Sequence, residues 1–289
     1  MKMKILLCMS LLAVSCLCGC RQKEKVSFSE TYDTESISSI NMQIDSWQLK
    51  IMASSDEDVH ISLDGGTEKG AKAPSVEVQD GMLDIMQIDG EGSAVGRFSL
   101  GKEGEVIVYI PVALKGAVTI KNGSGDMEID SLVASKLAID NDSGYAELNH
   151  VTAEELEISS SSGDVKLSNG NIADFQIGTS SGYVTLKNIE SEDIFIATKS
   201  GEVNISGLGD QTNVGISTGS GDIGVSYKTQ QQNLSFKISS GSDDVTVRLD
   251  GVSYTTETSA CKQGKIGSGG YSLTVNEKIN PPARRGRIE

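Results

Sequence analysis

Apolar and polar residues alternate in short runs along most of this chain, and the runs recur at a nearly fixed interval. A Ser-Gly pair marks each repeat, and consecutive pairs lie 19 or 20 residues apart. The pairs begin at Ser124, Ser143, Ser162, Ser181, Ser200, Ser220 and Ser240. Self-similarity with a period of this length is typical of solenoids and other repeat folds. The sequence therefore predicts a repeat architecture.

Each repeat predicts two short strands. The first follows the glycine and is apolar at its second and fourth positions, as in DVKL (164–167) and YVTL (183–186). The second precedes the next Ser-Gly pair, as in FQI (175–177). A period of two places the apolar side chains on one buried face. One more apolar residue lies between the two strands at constant phase, at Leu132, Val151, Ile189 and Leu208, whereas Gly170 breaks the series.

These patterns predict an all-β fold, a parallel β-solenoid in which each repeat of 19–20 residues forms one coil. Equivalent residues would then stack about 4.8 Å apart, so that Val165 lies between Ala146 and Val184. A meander of antiparallel hairpins with Ser-Gly at each tip is the competing interpretation. The constant phase of the mid-coil apolar residue favours parallel coils. At each corner we expect the glycine to supply a positive φ and the serine to bond the backbone.

The ends of the repeat region set the predicted boundaries. Residues 37–104 form a smaller, irregular β region that contains a hairpin signal around Asp80-Gly81 and a Gly-rich stretch at 89–104. Residues 105–275 form the solenoid repeats, and 269–275 read as a last, capping coil. Residues 276–289, with three arginines, are predicted to be a disordered basic tail.

The amino terminus has the pattern of a bacterial lipoprotein. Lys2 and Lys4 precede an apolar run at 5–14, which is typical of a signal peptide and too short to span a bilayer. The run ends in Leu-Cys-Gly-Cys at 17–20, which resembles a lipobox. We therefore expect residues 1–19 to be removed, Cys20 to be lipidated, and residues 20–36 to form a tether. This predicts a lipid-anchored envelope protein on the outer face of the cytoplasmic membrane or on the outer membrane, with the membrane as a partner.

Composition further narrows the classes of function and fold that the chain can have. Without residues 1–19 the chain keeps 23 basic and 40 acidic residues, and so strong a negative charge argues against a nucleic-acid partner. Cys261 would be the one thiol left beside the acylated Cys20, so no intramolecular disulfide is expected. The 32 glycines, 4 prolines and few aromatic residues agree with short strands and tight turns.

Three motifs together carry a resemblance to a known family. They are the repeated SG(D/Y/E)V-x-(L/I), the entering strand V-x-V-x-I-P at 106–111, and the final GSGGYSLTV at 267–275. Over roughly 37–275 the chain resembles the bacterial putative-adhesin β-strand-repeat family, a domain-of-unknown-function group. The resemblance implies a β-solenoid that faces the cell envelope. It supplies no catalytic residue to carry over.

The residue pattern predicts no metal, no cofactor and no catalytic site. His60 and His150 are isolated, and acids beside glycine corners are typical of turns rather than of calcium sites. An outward row after the glycines carries several acids, and carboxylates two coils apart would stand about 9.6 Å from each other. That row comprises Asp126, Tyr145, Asp164, Tyr183, Glu202 and Asp222. The repeats offer few basic residues and few insertions that would build a catalytic cleft around it.

Three functional hypotheses follow. The favoured one is a non-enzymatic, lipid-anchored β-solenoid that presents a repeat face for adhesion or for binding an envelope protein or glycan. Tyr145 and Tyr183 are its candidate surface contacts, because exposed tyrosine suits recognition of sugar or protein. The alternatives are a carbohydrate-active β-helix enzyme and an accessory of an envelope-stress signalling system.

Overall fold

The fold is all-β. The computed structural model describes residues 23–68, 72–89, 104–241 and 245–277. These residues form 21 strands and one short 3-10 turn, Thr34–Ser36. The strands before the repeats are β1 (Lys23–Asp33), β2 (Ser39–Ile44), β3 (Gln48–Ala53), β4 (Asp58–Glu68), β5 (Ser75–Gln79), β6 (Met82–Gln87) and β7 (Gly104–Ile110). The repeats form β8 (Ala117–Asn122), β9 (Met127–Asp130), β10 (Val133–Asn141), β11 (Ala146–Asn149), β12 (Thr152–Ser160), β13 (Val165–Thr179), β14 (Val184–Thr198), β15 (Val203–Leu208), β16 (Asn213–Thr218) and β17 (Ile223–Tyr227). The last strands are β18 (Leu234–Ser239), β19 (Ser253–Glu257), β20 (Cys261–Ile266) and β21 (Tyr271–Glu277).

Successive repeats stack as parallel coils with two faces. On the first face lie the strands that follow each Ser-Gly pair, in the spatial order β9, β11, β13, β14, β15 and β17. On the second face lie β8, β10, β12, β13, β14 and β16. β13 and β14 pass around the bend and pair on both faces. The predicted parallel β-solenoid is confirmed.

The register is the predicted one. Val165 pairs with Ala146 and Val184, and Leu167 pairs with Leu148 and Leu186. The inward ladder of the first face is buried at Ile129, Leu148, Leu167, Leu186, Ile205 and Val225. The mid-coil residues Leu132, Val151, Ile189 and Leu208 are buried as well. Burial of one such side chain contributes roughly 1.5–3 kcal/mol, and stacked coils accumulate this gain along the axis.

The Ser-Gly corner needs glycine for a reason that differs from the predicted one. Of the six repeat glycines from Gly125 to Gly221, only Gly221 has a positive φ. Instead, a Cβ atom at each of the others would come closer than 3.0 Å to a carbonyl oxygen of the preceding coil. Backbone touches backbone at this corner, so a side chain has no room. The serine does bond the backbone as expected: Ser200 Oγ donates to the carbonyl of Ser180 at 3.2 Å.

Positive φ occurs at the opposite corner of the coil, one residue before the mid-coil apolar position. Its values lie between 52° and 67° at Ser131, His150, Asn169, Asn188 and Gly207. Asparagine and glycine tolerate the left-handed region better than other residues do. The sequence pattern left this corner unassigned.

A ladder of buried polar side chains closes each Ser-Gly corner from inside. Each of its members lies three residues before a repeat glycine; they are Asn122, Asn141, Ser160, Thr179, Thr198 and Thr218. Asn141 Nδ2 donates to the Gly144 carbonyl at 2.6 Å, and Ser160 Oγ donates to the Gly163 carbonyl at 2.7 Å. Sequence analysis did not single out these residues. The five residues from Asn122 to Thr198 thereby satisfy backbone groups that the tight corner would otherwise leave unpaired.

The region before the repeats is β-structure, as predicted, and it joins the stack. β2 pairs in parallel with β6 on one side and β8 on the other, while β3 lies between β7 and β9. Trp47 takes the corner position that glycine holds in later coils. It is buried against Gly65 and Gly104. Gln87 Oε1 accepts the backbone N–H groups of residues 45, 46 and 47.

The predicted tether at 20–36 differs from the structure over residues 23–33. These residues form β1, which pairs antiparallel with β4 at the amino-terminal end of the stack. The physical reason is a period-2 pattern within a mostly polar segment: Val26 is buried, and Phe28 and Tyr32 pack against the core. The segment therefore covers the end of the core.

The predicted capping coil at 269–275 does not lie at the end of the stack. Its strand, β21, is inside the stack, paired in parallel with β16 on one side and β18 on the other. Leu273 and Val275 are buried there, as interior neighbours require. The carboxy-terminal end is instead closed by the antiparallel series β18–β20–β19.

Several expectations lie outside the described residues. They concern the signal peptide 1–19, Cys20, most of the Gly-rich stretch 89–104, and the tail from 278 onward. Within the ranges that the structure does describe, no helix has the length and apolar character needed to cross a membrane.

Candidate binding surface

Tyr145 and Tyr183 lie in one outward row of the first face. The two residues are 38% and 57% exposed. The register places Asp164 between them, because each of the three immediately precedes the paired residues Ala146, Val165 and Val184. Two coil spacings put the tyrosine positions about 9.6 Å apart. The two predicted contacts are therefore brought together on one surface.

The acids of this row hold the backbone beneath the tyrosines. Tyr145 N–H donates to Asp126 Oδ1 at 3.2 Å, and Tyr183 N–H donates to Asp164 Oδ1 at 2.9 Å. Each aspartate thus bridges from its own coil to the next. This arrangement fixes the position of each tyrosine on its strand. It also gives the alternation of Asp and Tyr along the row a structural reason.

A cross-coil ion pair continues the surface beside Tyr145. Lys166 Nζ lies 2.7 Å from Glu147 Oε1, and both side chains are 42% exposed. Partial burial raises the pKa of Tyr145, and the Glu147 carboxylate raises it further. The hydrogen bond to Glu147 raises the pKa of Lys166. Tyr145 is therefore neutral and Lys166 charged at physiological pH.

An open depression of about 500 Å³ lies next to this ion pair. We call it the first-face trough. It crosses four successive coils and is lined by residues of β9, β11, β13 and β14, including Asn169 and Asn188 at the bend of β13 and β14. The lining includes Glu128, Asp130, Glu147, Lys166 and Lys187.

A chain of side-chain amides forms one wall of the trough. Asn149 Nδ2 donates to Asp130 Oδ1 at 3.0 Å, Asn169 Nδ2 donates to Asn149 Oδ1 at 3.0 Å, and Asn188 Nδ2 donates to Asn169 Oδ1 at 3.1 Å. Asn169 and Asn188 sit at the positive-φ corner. Sequence analysis missed this wall. Its signal was an asparagine six positions after the repeat glycine, at 169 and 188, with Asn149 five positions after Gly144.

His150 lies beside the trough, with its Nδ1 atom 3.2 Å from Asp130 Oδ1, whereas His60 and Cys261 lie apart from this surface. His60, in β4, makes hydrogen bonds to Thr31 of β1 at 2.9 Å and to Asp56 of the loop before β4 at 2.8 Å. Cys261 is a partly exposed free thiol, 3.7 Å from Ser239 Oγ. Over the part of the chain that the structure covers, no group of three or more His, Cys, Asp or Glu side chains is arranged to hold a metal ion.

The comparisons with known proteins place the chain in a family. Residues 37–278 match the sequence model of the Toastrack DUF4097 family, which spans the stacked coils from β2 to the end of β21. This chain belongs to the Toastrack DUF4097 family. The predicted resemblance to bacterial putative-adhesin repeats is confirmed by this match. No curated protein matches the chain in sequence.

Several solved structures resemble the chain over most of its length. A putative lipid binding protein from Parabacteroides distasonis is 14% identical, covers 91% of this chain and 97% of its own, and has a TM-score of 0.50. A putative adhesin from Bacteroides fragilis is 11% identical, covers 91% and 96%, and has a TM-score of 0.46. A putative cell adhesion protein from Clostridium sporogenes is 13% identical, covers 92% and 100%, and has a TM-score of 0.35. At these identities the likeness concerns the fold alone.

Proposed function

We propose that this Toastrack protein is a non-enzymatic, lipid-anchored scaffold of the cell envelope that binds an envelope partner through the surface around Tyr145 and Tyr183. The observation that carries the proposal is the pair of exposed tyrosines on one row of a parallel sheet, each held by an aspartate of the preceding coil. Tyrosine offers a large apolar face and a hydroxyl with few rotatable bonds, which suits recognition.

The anchor in this proposal is the lipid on Cys20. Three residue steps separate Cys20 from Lys23, where β1 begins, and an extended chain spans at most about 11 Å over that distance. β1 closes the amino-terminal end of the stack. A lipid on Cys20 would therefore keep that end of the solenoid close to the membrane surface. The end coil of the solenoid would then be held at the membrane by a short link rather than by a long, flexible tether.

Two observations support a scaffold over the other candidates. The row acids that an enzyme would need as catalytic carboxylates, Asp126 and Asp164, accept backbone N–H groups instead. The name of the Parabacteroides protein raises lipid binding as a second candidate. However, the apolar slot between Ile223, Ile238 and Val275 measures only about 20 Å³, which leaves no room for an acyl chain there.

The anchor is tested by fractionating cells that express the full chain or its Cys20→Ser variant. We expect the parent to take up labelled fatty acid and to sediment with membranes, and the variant to do neither. Uptake of label by the variant would contradict lipidation at Cys20.

The binding surface is tested by photo-crosslinking in cells. A photoreactive phenylalanine derivative is placed at Tyr183 or, as a matched control, at Phe195, which is 53% exposed on the second face. We expect a discrete adduct from position 183 and none from position 195. Equal crosslinking at both positions would contradict a dedicated first-face site.

A further inference from the structure

We infer that the occupant of the first-face trough is a linear, uncharged, hydroxyl-rich glycan that lies along the solenoid axis and stacks on Tyr145 and Tyr183. This inference rests on the proposed function and specifies the class of partner.

Backbone pairing excludes recognition of a peptide by strand addition at this place. β9, β11, β13 and β14 each pair with a neighbour on both sides of the first face. No edge is left there for a partner strand, since strand addition needs unpaired N–H and C=O groups. Recognition on the trough must therefore use side chains alone.

The side chains in the trough and in the tyrosine row beside it have the chemistry that binds sugars. The tyrosines supply apolar platforms for the C–H faces of pyranose rings. Within the amide wall each asparagine donates one N–H to its neighbour and keeps a second N–H for a ligand hydroxyl. The carboxylates of Glu128 and Asp130 accept hydrogen bonds from hydroxyl groups.

The spacing of these groups favours a polymer over a single sugar. The trough offers polar side chains at each coil, about every 4.8 Å along the axis, and the adjacent outward row, two residues earlier on each strand, offers a tyrosine platform once per two coils. The sugar-to-sugar rise of an extended β-1,4-linked chain is close to one coil. A glycan laid along the axis would thus meet hydrogen-bonding side chains at each sugar and a tyrosine of the adjacent row at every second sugar.

The charge of the trough decides against an acidic polymer. Glu128, Asp130 and Glu147 face Lys166 and Lys187, and Lys166 is already paired with Glu147. The chain as a whole carries a formal net charge of −15. A field of this sign repels phosphate and uronate groups, whereas it leaves neutral hydroxyl groups unaffected.

The test is a calorimetric titration of the mature lipidated protein in detergent micelles. The probes are cellohexaose and chitohexaose, with glucose as the length control and a hexagalacturonate as the charge control. We expect at least one neutral hexasaccharide to bind in the millimolar range or tighter, glucose to bind more than tenfold more weakly, and the hexagalacturonate not to bind. Tyr183→Ala should weaken binding about tenfold, in line with the contribution of one aromatic stacking contact.

Two variants make the result specific. Phe195→Ala removes an aromatic of similar exposure from the other face and should leave affinity unchanged. Tyr183→Phe keeps the platform and should retain most of the affinity. The inference is overturned if neither neutral hexasaccharide binds, if Phe195→Ala is as damaging as Tyr183→Ala, or if the hexagalacturonate binds best. A protein adduct in the photo-crosslinking experiment together with no glycan binding would overturn this inference alone and leave the proposed surface standing.

Discussion

A Cβ atom on Gly163 would come closer than 3.0 Å to the carbonyl oxygen of Gly144, the glycine at the same corner of the preceding coil. The same relationship links Gly144 to Gly125 and Gly182 to Gly163. The corners of successive coils therefore rest on one another through their backbones. Glycine is required there by contact distance, while the conformation itself would suit other residues.

Gly163→Ala should accordingly be strongly destabilising. The new methyl group must push two coils apart, and we expect a loss of about 1–3 kcal/mol or more in the free energy of unfolding. The matched control is Gly178→Ala in the same coil, where a Cβ meets nothing within 4 Å. That change should be neutral or stabilise by up to about 1 kcal/mol. Chemical denaturation of both variants checks the contrast, and equal midpoints would contradict the corner contact.

Gly170→Val should be milder than Gly163→Val. A Cβ at Gly170 meets the Cδ1 atom of Ile172 at 2.8 Å, and this is the end of a side chain that can rotate. At Gly163 the obstacle is backbone. Neighbouring coils hold Val or Ile at the position of Gly170, so the core has a shape there that accepts a branched residue. Thermal melts of the two variants should separate by several degrees, and coincident melts would argue against this register.

Leu167→Ala should cost more than any change at Asp164. Leu167 is fully buried between Leu148 and Leu186, and its truncation should cost about 2–5 kcal/mol. Asp164→Asn keeps an oxygen that can accept the Tyr183 N–H, so we expect a change within about 0.5 kcal/mol. Asp164→Ala removes this acceptor and should cost about 1 kcal/mol. Polysaccharide turnover that disappears in Asp164→Asn would favour the enzymatic alternative over the scaffold.

Asn141→Val should destabilise the protein, because Asn141 is fully buried and water cannot replace its hydrogen bonds. Its amide donates to the Gly144 carbonyl, and its Oδ1 accepts from Asn122 at 2.7 Å. Loss of both bonds leaves buried partners unsatisfied, at a cost of about 1–3 kcal/mol. Asn141→Ser should be less costly, since Ser160 makes the equivalent bond in the next coil. If the serine variant melts no higher than the valine variant, the polar ladder has no stabilising role.

Asp56 should make a pH-dependent contribution to stability. The hydrogen bond from His60 lowers the pKa of the Asp56 carboxyl below its ordinary value, with help from Asp58 N–H and Ser54 Oγ. Because the folded-state pKa is depressed, the contribution is present above the ordinary pKa and is lost as the pH falls through the folded value. The melting temperatures of the parent and of Asp56→Asn should therefore differ at pH 5–6 and converge near pH 2. In a His60→Gln background the difference at pH 5–6 should shrink; an unchanged difference would contradict the coupling.

The repeat made most of the fold predictable. One buried face with a period of two, repeated at constant phase, specifies both the strands and their register, as the pairing of Leu167 with Leu148 and Leu186 shows. The positions of β2 and β21 were not predictable in this way. β2 lies between β6 and β8, and β21 lies between β16 and β18, so each is inserted between two strands that are closer to each other in sequence than to it. Alternation of apolar and polar residues within a strand indicates which face is buried, but it does not indicate which strand lies beside it.

The candidate surface was predictable in part for the same reason. Parity placed Tyr145 and Tyr183 on the outside, and both are exposed. The amide wall and the Lys166–Glu147 pair depend on which side chains of neighbouring coils meet, and hence on the register. The conformation of Asn169 and Asn188 depends on a turn whose type the pattern did not specify.

The interior position of β21 has a consequence for biosynthesis. β18 has no ladder with β16 and joins the coils through β21, which is the last strand that the structure describes and leaves the ribosome after the other described strands. On the second face, coils up to β16 can form while the chain is still emerging, but β18 and the strands beyond it must wait for β21. Synthesis that stops before β21 would therefore leave out an internal layer rather than a frayed end, and the stack beyond β16 closes only once this strand has been made.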